Sequence, residues 1–179
     1  MDSGRRIRNL ALVGFMGTGK SSVGRLVARH LRFAFIDSDV LIEARLERSI
    51  GEIFVEKGEA WFRTYERALV KEFEGYQETV LSTGGGLAAS EGNLASLKRH
   101  ALVICLWASP ETIWRRVRRR SHRPLLQVPD PLARIRVLLS ERERYYRQAD
   151  VLINTEWRSA QQVAQQVIHQ FRLIGGVGG

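Results

Sequence analysis

The 179-residue sequence is poor in several features, and each shortage excludes a class of protein. It has one cysteine, Cys105, so no disulfide can form within the chain, as is usual in the reducing cytosol. No apolar run approaches the roughly 20 residues of a membrane-spanning helix. Arginines precede an early apolar run, as in a signal peptide, but Gly14, Gly17 and Lys20 interrupt it and no small-residue cleavage site follows. We therefore expect a cytoplasmic protein that does not associate with a membrane.

Lysine is also scarce, with 4 lysines against 24 arginines and a net charge of +9. A basic chain can bind nucleic acid, but these arginines are spread along the sequence. The arginine-rich stretch 114–127 contains a single aromatic residue, Trp114, whereas single-strand binders interleave aromatic platforms with basic residues. A protein that binds phosphate groups or an acidic small molecule also needs several guanidinium groups. We therefore expect no nucleic acid among the partners and keep a nucleic-acid-binding protein as an alternative.

Short apolar runs alternate with helical patterns, without internal repeats or a linker. The predicted strands are Leu10–Val13, Phe33–Ile36, Thr79–Leu81, Ala101–Leu106 and Val151–Ile153. Helix starts are predicted at Ser49 with Glu52 (a capping box), at Ser109 with Pro110, and at Ser159 in a helix that Gly175 ends. This alternation predicts one α/β domain over residues 1–179, with a parallel sheet covered by helices on both faces.

Residues 14–21 read GFMGTGKS, a complete phosphate-binding loop between a predicted strand and a predicted helix. The glycines allow successive backbone N–H groups to surround phosphate oxygens. In such a loop the lysine, here Lys20, reaches the β- and γ-phosphates, and the hydroxyl of Ser21 can bind Mg²⁺. The sequence therefore predicts a nucleotide-binding protein.

Two aspartates, Asp37 and Asp39, follow the second predicted strand. Ligands of open parallel sheets collect at the carboxyl ends of the strands, so this pair should lie beside the phosphate-binding loop. Asp37 could hold Mg²⁺ or its water shell, and Asp39 could accept a hydrogen bond from an attacking hydroxyl. Alternatively, one aspartate only caps the following helix, and Asp39 is well placed to do so.

Two further motifs suggest a site for an anionic substrate. Arg63 and Glu66 are neighbours at i, i+3 on a predicted helix, so the carboxylate could fix the guanidinium group; an ordinary surface pair is the alternative. Three glycines at 84–86 directly follow the third predicted strand. Because consecutive glycines cost backbone entropy, they are expected where the backbone must approach a ligand closely; a flexible turn is the alternative.

The last two motifs lie in the second half of the chain. The stretch 114–127 begins as a helix and must leave helical geometry at Pro124, which is typical of a mobile lid. Closure could bring Arg123 to the transferring phosphate. Arg142, late in a helix that begins near Pro131, could meet Arg63 across a pocket, although an exposed helix arginine is the simpler interpretation.

In this order, the six motifs resemble those of the shikimate kinase family over essentially the whole chain. The motifs are GFMGTGKS (14–21), DSD (37–39), FRxxE (62–66), TGGG (83–86), RPLL (123–126) and ERxxxY (141–146). The resemblance implies a P-loop kinase fold, like that of nucleoside-monophosphate kinases, with five parallel strands in the order 2-3-1-4-5. It also implies transfer of the ATP γ-phosphoryl group to the 3-hydroxyl of shikimate, on the route to aromatic amino acids.

The resemblance carries over to particular residues. ATP would be bound by Gly17, Thr18, Gly19, Lys20, Ser21, Ser22, Arg116, Arg123 and Arg158. Shikimate would be bound by Asp39, Arg63, Gly85 and Arg142, and the argument that the glycine run approaches a ligand adds Gly84 and Gly86. Catalysis would fall to Lys20, Asp39 and Arg123. Ser21 would bind Mg²⁺, and the position of Asp37 after the second strand adds it to that site. We expect ATP and shikimate as the small-molecule partners of a monomer, with a substrate-binding subdomain near 39–67 and a lid near 117–129.

Three questions stay open at this level. Arg147 could replace Arg142 in holding the carboxylate, and Asp39 could either take the proton or only orient the hydroxyl. The chain could also be a related kinase for gluconate or a nucleoside monophosphate, although neither needs the triple glycine together with Asp39, Arg63 and Arg142. The other answer to this third question is a silent relative that binds nucleotide without turnover, which is disfavoured because Lys20, Asp39 and Arg123 are all present.

Overall fold

A five-stranded parallel sheet organises the structure, a computed structural model that describes residues 7–90, 92–118 and 126–175. The strand order is β2-β3-β1-β4-β5. The strands are β1 Asn9–Val13, β2 Ala34–Asp37, β3 Thr79–Ser82, β4 Ala101–Trp107 and β5 Val151–Asn154. All five predicted strands are present, with ends that differ by at most one residue, and the predicted strand order is confirmed.

Helices connect the strands and cover both faces of the sheet. In the described ranges they are α1 Lys20–Leu31, α2 Ser38–Leu46, α3 Ile50–Lys57, α4 Glu59–Glu72, α5 Asn93–Lys98, α6 Pro110–Val117, α7 Pro131–Tyr146 and α8 Ala160–Gly175. The capping box of Ser49 and Glu52 is formed at α3, and Ser109 caps α6 ahead of Pro110. The Ser159 hydroxyl accepts from Gln162 N at 3.2 Å at the start of α8. Gly175 is the last described residue of that helix.

Residues of β1 alternate between two cores. Leu10 and Leu12 pack in the core on the α1 and α8 side, together with Phe171. Ala11 and Val13 face the opposite core, which α4, α5, α6 and α7 close. Since both faces of the strand are fully buried, continuous apolar strands without polar alternation are what such a sheet requires.

The topology brings the predicted motifs to one edge of the sheet. The phosphate-binding loop follows β1, Asp37 ends β2 with residues 38–39 opening α2, and the three glycines follow β3. Because the strands are parallel, these segments meet at their shared carboxyl ends. In the described ranges, none of the helices combines the length and apolarity that a membrane span requires.

Candidate active site

A cavity of about 870 Å³ opens at the carboxyl ends of the strands. It brings together every described residue of the predicted site: Gly17, Thr18, Gly19, Lys20, Ser21, Ser22, Asp37, Asp39, Arg63, Gly84, Gly85, Gly86, Arg116, Arg142 and Arg158. Glu66 lines it as well. Arg123 and most of the predicted lid lie outside the described residues, while Gln127, which is described, lines the cavity.

The phosphate-binding loop is closed around its own lysine. The ammonium group of Lys20 donates to the carbonyl oxygens of Gly14 and Phe15, both at 2.9 Å. Gly17 has a φ of +77°, and a Cβ there would lie 2.7 Å from Val117 Cγ1, so only glycine fits this turn. The loop thus presents a buried cation at the start of α1, where a helix N-terminus already favours an anion.

Ser21 and Asp37 form a pair at the floor of the cavity. The Ser21 hydroxyl donates to Asp37 Oδ2 at 2.6 Å. Asp37 is also the N-cap of α2, where its Oδ1 accepts from the backbone N of Asp39 at 3.2 Å. The alternative that Asp39 caps this helix is therefore wrong: the cap comes one residue before α2 begins, because the strand ends at Asp37 itself.

The three glycines leave room for the side chains of the site. A Cβ at Gly84 would lie 3.2 Å from Asp39 Cγ, and one at Gly86 would lie 2.6 Å from Arg63 Nη2. The backbone N of Gly84 donates to Ser38 Oγ at 2.8 Å, which ties the segment to the start of α2. This segment is therefore not a loose turn, since it is packed against the functional groups of other elements.

Arg63 is held by two carboxylates of its own helix, α4. Its Nη1 donates to Glu66 at 2.7 Å and its Nη2 to Glu59 at 2.9 Å. The side chain of the predicted partner Glu66 is 1% exposed, whereas the side chain of Glu59 is 60% exposed. Burial raises the pKa of Glu66 to about 7, and the nearby guanidinium of Arg63 opposes this shift. Arg63 and Glu66 therefore form a buried charge pair rather than an ordinary surface pair.

Arg142 reaches the cavity from α7. Its Nη1 donates to the carbonyl oxygen of Gly85 at 3.1 Å, and its guanidinium carbon lies 5.4 Å from the centre of the Phe15 ring. Arg147 takes a different position: its side chain is 71% exposed and pairs with Glu143 at 2.6 Å. Arg142 and Arg63 are thus the α7 and α4 arginines that line the same cavity.

Arg116 and Arg158 line the cavity from the α6 and β5–α8 side. Arg116 donates to the Thr155 hydroxyl at 2.9 Å and to the Thr155 carbonyl at 2.7 Å. It also reaches the carbonyl of Gly17 at 3.3 Å. Arg158 donates to the Asn154 carbonyl at 2.8 Å. Both guanidinium groups are therefore fixed at the C-terminal end of β5, Arg158 by the last residue of the strand and Arg116 by the residue that follows it.

Three residues that hold groups of the site in place were not predicted from the sequence to do so. Tyr146, quoted only as a motif letter, donates to the Gly85 carbonyl at 2.7 Å. Thr155 anchors Arg116, and Glu59 shares Arg63 with Glu66. A sequence signal existed for Glu59, because a glutamate four residues before an arginine on a helix is a favourable pair. Thr155 and Tyr146 depend on long-range packing and gave no such signal.

The fold and the site define a P-loop kinase. The sheet order, the loop after β1 and the cavity across the strand ends are its hallmarks. A gluconokinase from Sinorhizobium meliloti shares the fold, with a TM-score of 0.64 and 14% identity over 96% of this chain and 95% of its own. At that identity the similarity shows the fold alone.

The family follows from closer comparisons. The family model described as shikimate kinase matches residues 16–172. A shikimate kinase from Caldanaerobacter subterraneus subsp. tengcongensis is 42% identical over 95% of this chain and 99% of its own. The structure of the Acinetobacter baumannii shikimate kinase in complex with shikimate has a TM-score of 0.89 and 38% identity, with 96% of each chain covered. The chain belongs to the shikimate kinase family, phosphotransferases that phosphorylate shikimate with ATP.

Proposed function

We propose that this chain transfers the γ-phosphoryl group of ATP to the 3-hydroxyl of shikimate. The observation that carries the proposal is the cavity in which Lys20 of the phosphate-binding loop, Asp39, Arg63 and Arg142 line a common space. Shikimate has one carboxylate and three hydroxyls, so it requires cationic groups at one end and acceptors at the other. Two arginines and an aspartate supply that combination.

The carboxylate end of the substrate would bind between Arg63 and Arg142. Each guanidinium can form paired hydrogen bonds with a carboxylate, and each is oriented by fixed partners, Glu66 for Arg63 and the Gly85 carbonyl for Arg142. Arg147 is unsuited to this role because it is exposed and paired with Glu143. The amides of residues 84–86 would complete this end of the site.

The hydroxyl to be phosphorylated would face Asp39. This carboxylate lies against Gly84 at the same edge of the sheet as the phosphate-binding loop. Asp39 would accept the hydrogen bond of the attacking hydroxyl and so direct its oxygen toward the γ-phosphoryl group. Positioning of this kind accounts for much of the catalysis of phosphoryl transfer.

The nucleotide side is built from the loop and two arginines. Residues 17–22 would surround the phosphates, with Lys20 neutralising charge on the transferring group. Arg116 and Arg158 would face the adenine nucleoside. Arg123 would contact the phosphates from a lid near 117–129, a role that rests on the sequence motif. We also retain the expectations of a monomer, a substrate subdomain near 39–67 and no nucleic acid among the partners.

The Ser21–Asp37 pair fits Mg²⁺. The hydroxyl and carboxylate oxygens lie 2.6 Å apart at the start of α1, and Mg²⁺ prefers such oxygen ligands together with water and phosphate oxygens. Among the described residues no group of three or more His, Cys, Asp and Glu side chains could hold a metal ion, in keeping with a site that nucleotide and water complete. When bound with ATP, Mg²⁺ supplies positive charge that stabilises the transferring phosphoryl group.

A coupled ADP-release assay tests the proposed substrate. Shikimate, gluconate and nucleoside monophosphates are offered in parallel with saturating ATP and Mg²⁺. Turnover with shikimate alone is expected. Turnover with gluconate and none with shikimate would overturn the proposal, and binding of ATP and shikimate without product would instead indicate a silent relative.

A matched pair of arginine variants tests the proposed carboxylate site. Arg142→Ala should weaken shikimate binding by roughly 2–5 kcal/mol, since it removes one partner of a charge pair. Arg147→Ala at the C-cap of the same helix should leave the dissociation constant within about twofold, because exposed ion pairs contribute little. Calorimetric titration with shikimate gives the dissociation constant of each variant. A larger loss of shikimate affinity in Arg147→Ala than in Arg142→Ala would assign the carboxylate contact to Arg147 instead.

A further inference from the structure

Two donors from one face of α7 meet at a single carbonyl oxygen. Tyr146 Oη donates to Gly85 O at 2.7 Å, and Arg142 Nη1 donates to the same oxygen at 3.1 Å. The two residues are four apart, so they lie one above the other on the helix. A carbonyl oxygen has two lone pairs, and the two donors together satisfy them.

The shared acceptor lies between the two halves of the site. A Cβ at Gly85 would lie 3.3 Å from the backbone N of Met16 and 3.9 Å from Arg142 Nη1. Gly85 therefore has the phosphate-binding loop on one side and an arginine of the carboxylate site on the other. The α7 helix also packs against the turn at 87–89 that follows the glycines, which fixes the direction of its side chains relative to them.

The two donors differ in their freedom to move. Tyr146 is 6% exposed and packs in the core below α7. Burial raises the pKa of its phenol to about 12, against the opposing effect of Arg142, so the hydroxyl remains a donor at neutral pH. Arg142 is half-buried and reaches into the cavity. Only the arginine can therefore turn from the carbonyl toward a ligand.

We infer that Tyr146 is a positioning residue for substrate binding: by holding the Gly85 carbonyl, it releases Arg142 to bind the substrate carboxylate. When Arg142 turns toward an anion, the Gly85 carbonyl keeps one strong partner and is not left unsatisfied, which would cost free energy. Without the hydroxyl, Arg142 is the remaining donor from α7, and the anion must compete with the carbonyl for it. This inference rests on the proposed function.

Tyr146→Phe tests the inference, with Tyr145→Phe as the matched control. Phenylalanine fills the same space, so only the hydroxyl is lost. The neighbouring Tyr145 contacts Arg144 outside the cavity. We expect the KM for shikimate of Tyr146→Phe to rise roughly three- to tenfold, the worth of one net hydrogen bond. The KM for ATP and the kcat should change less than twofold, and Tyr145→Phe should match the wild type.

A double-mutant cycle separates positioning from general support. If Tyr146 acts through Arg142, Tyr146→Phe should weaken shikimate binding much less in an Arg142→Lys background than in the wild type. Equal losses in both backgrounds, an unchanged KM for shikimate, or parallel increases in both KM values would overturn the inference. Should Tyr146→Phe fail to fold, Tyr146→Met, which also removes the hydroxyl donor but keeps an apolar and adaptable side chain, is measured in its place by the same criteria. A wild-type chain that does not turn over shikimate would instead overturn the proposed function, and this inference with it.

Discussion

Gly86 lies directly beneath the guanidinium group of Arg63. A Cβ at Gly86 would lie 2.6 Å from Nη2 and 2.7 Å from Cζ of Arg63. Both distances are shorter than a van der Waals contact, so the two groups would clash. The guanidinium is fixed on its other sides by Glu66 and Glu59 and lies 5.6 Å from the centre of the Phe62 ring. The third glycine of the triplet therefore sets the position of an arginine that we place at the substrate carboxylate.

Gly86→Ala should displace Arg63 and weaken shikimate binding. Overpacking a site typically costs about 1–3 kcal/mol, so the KM for shikimate should rise by roughly tenfold while the KM for ATP stays near the wild-type value. Gly75→Ala is the matched control, because a Cβ there meets no atom within 4 Å. Steady-state kinetics with each substrate varied in turn provide the measurement. An unchanged KM for shikimate in Gly86→Ala would mean that substrate binding does not depend on the position that Gly86 leaves for the Arg63 guanidinium.

Lys20→Ala should abolish turnover and leave shikimate binding largely intact. The ammonium group lies inside the phosphate-binding loop, away from the proposed carboxylate site. Loss of one such charge-stabilising donor lowers kcat by about 100-fold or more. Lys71→Ala, an exposed position on α4, is the control. Kinetics combined with calorimetric titration of shikimate test both parts, and retained activity would remove Lys20 from the mechanism.

Arg116→Ala should act on the nucleotide side alone. Arg116 is fixed by Thr155 and lines the cavity, whereas its neighbour Arg115 lies 5.0 Å from the centre of the Trp157 ring. We expect the KM for ATP to rise about tenfold in Arg116→Ala, in line with the loss of a hydrogen bond from a charged group. Arg115→Ala should resemble the wild type. Equal effects of the two substitutions would indicate a general loss of positive charge rather than a contact.

The buried carboxyl of Glu66 predicts a pH-dependent stability. Its pKa in the folded chain, raised by burial to about 7, exceeds the ordinary value of 4.5, so the folded state binds the proton more tightly than the unfolded state. Its stabilising contribution is complete below pH 4.5 and is lost as the pH rises through 7. The free energy of unfolding of the wild type minus that of Glu66→Gln should therefore fall between pH 5 and 8, by at most roughly 3 kcal/mol.

Glu72→Gln serves as the comparison for that experiment. The hydrogen bond from Arg45 lowers the pKa of Glu72 to about 2, so its folded and unfolded values both lie below the measured range. The free energy of unfolding of the wild type minus that of Glu72→Gln should therefore not change between pH 5 and 8. Urea unfolding at each pH supplies both curves, and a flat curve for Glu66→Gln as well would show that Glu66 is ionised throughout.

Sequence patterns were sufficient to predict the strands of the sheet and most of the residues that line the cavity. Parallel strands buried on both faces are continuous apolar runs, so the segments before Gly14, Asp37 and Gly84 were recognisable. Each run is followed directly by its functional motif, and parallel topology then places those motifs at one edge. The N-cap of α2 was the exception, because the strand extends one residue further than its apolar run and Asp37 takes the capping role.

Residues that act through packing were beyond sequence reasoning. The ERxxxY motif includes Tyr146 but names no partner for it, and only the orientation of α7 against the glycines decides that Tyr146 reaches Gly85 while Tyr145 contacts Arg144. The choice between Arg142 and Arg147 likewise depends on which face of that helix meets the sheet. Thr155 meets Arg116 from 39 positions away in the chain, a contact that no local pattern encodes.

Cys105 offers a practical opportunity for spectroscopy. It is fully buried in β4, and burial raises the pKa of its thiol to about 12. Maleimide dyes react with the thiolate, so the native chain should resist attachment under mild conditions. A cysteine introduced at Val55, which is 91% exposed on α3, would then carry a fluorophore selectively. Movements of that helix could be followed in real time without first replacing the natural thiol.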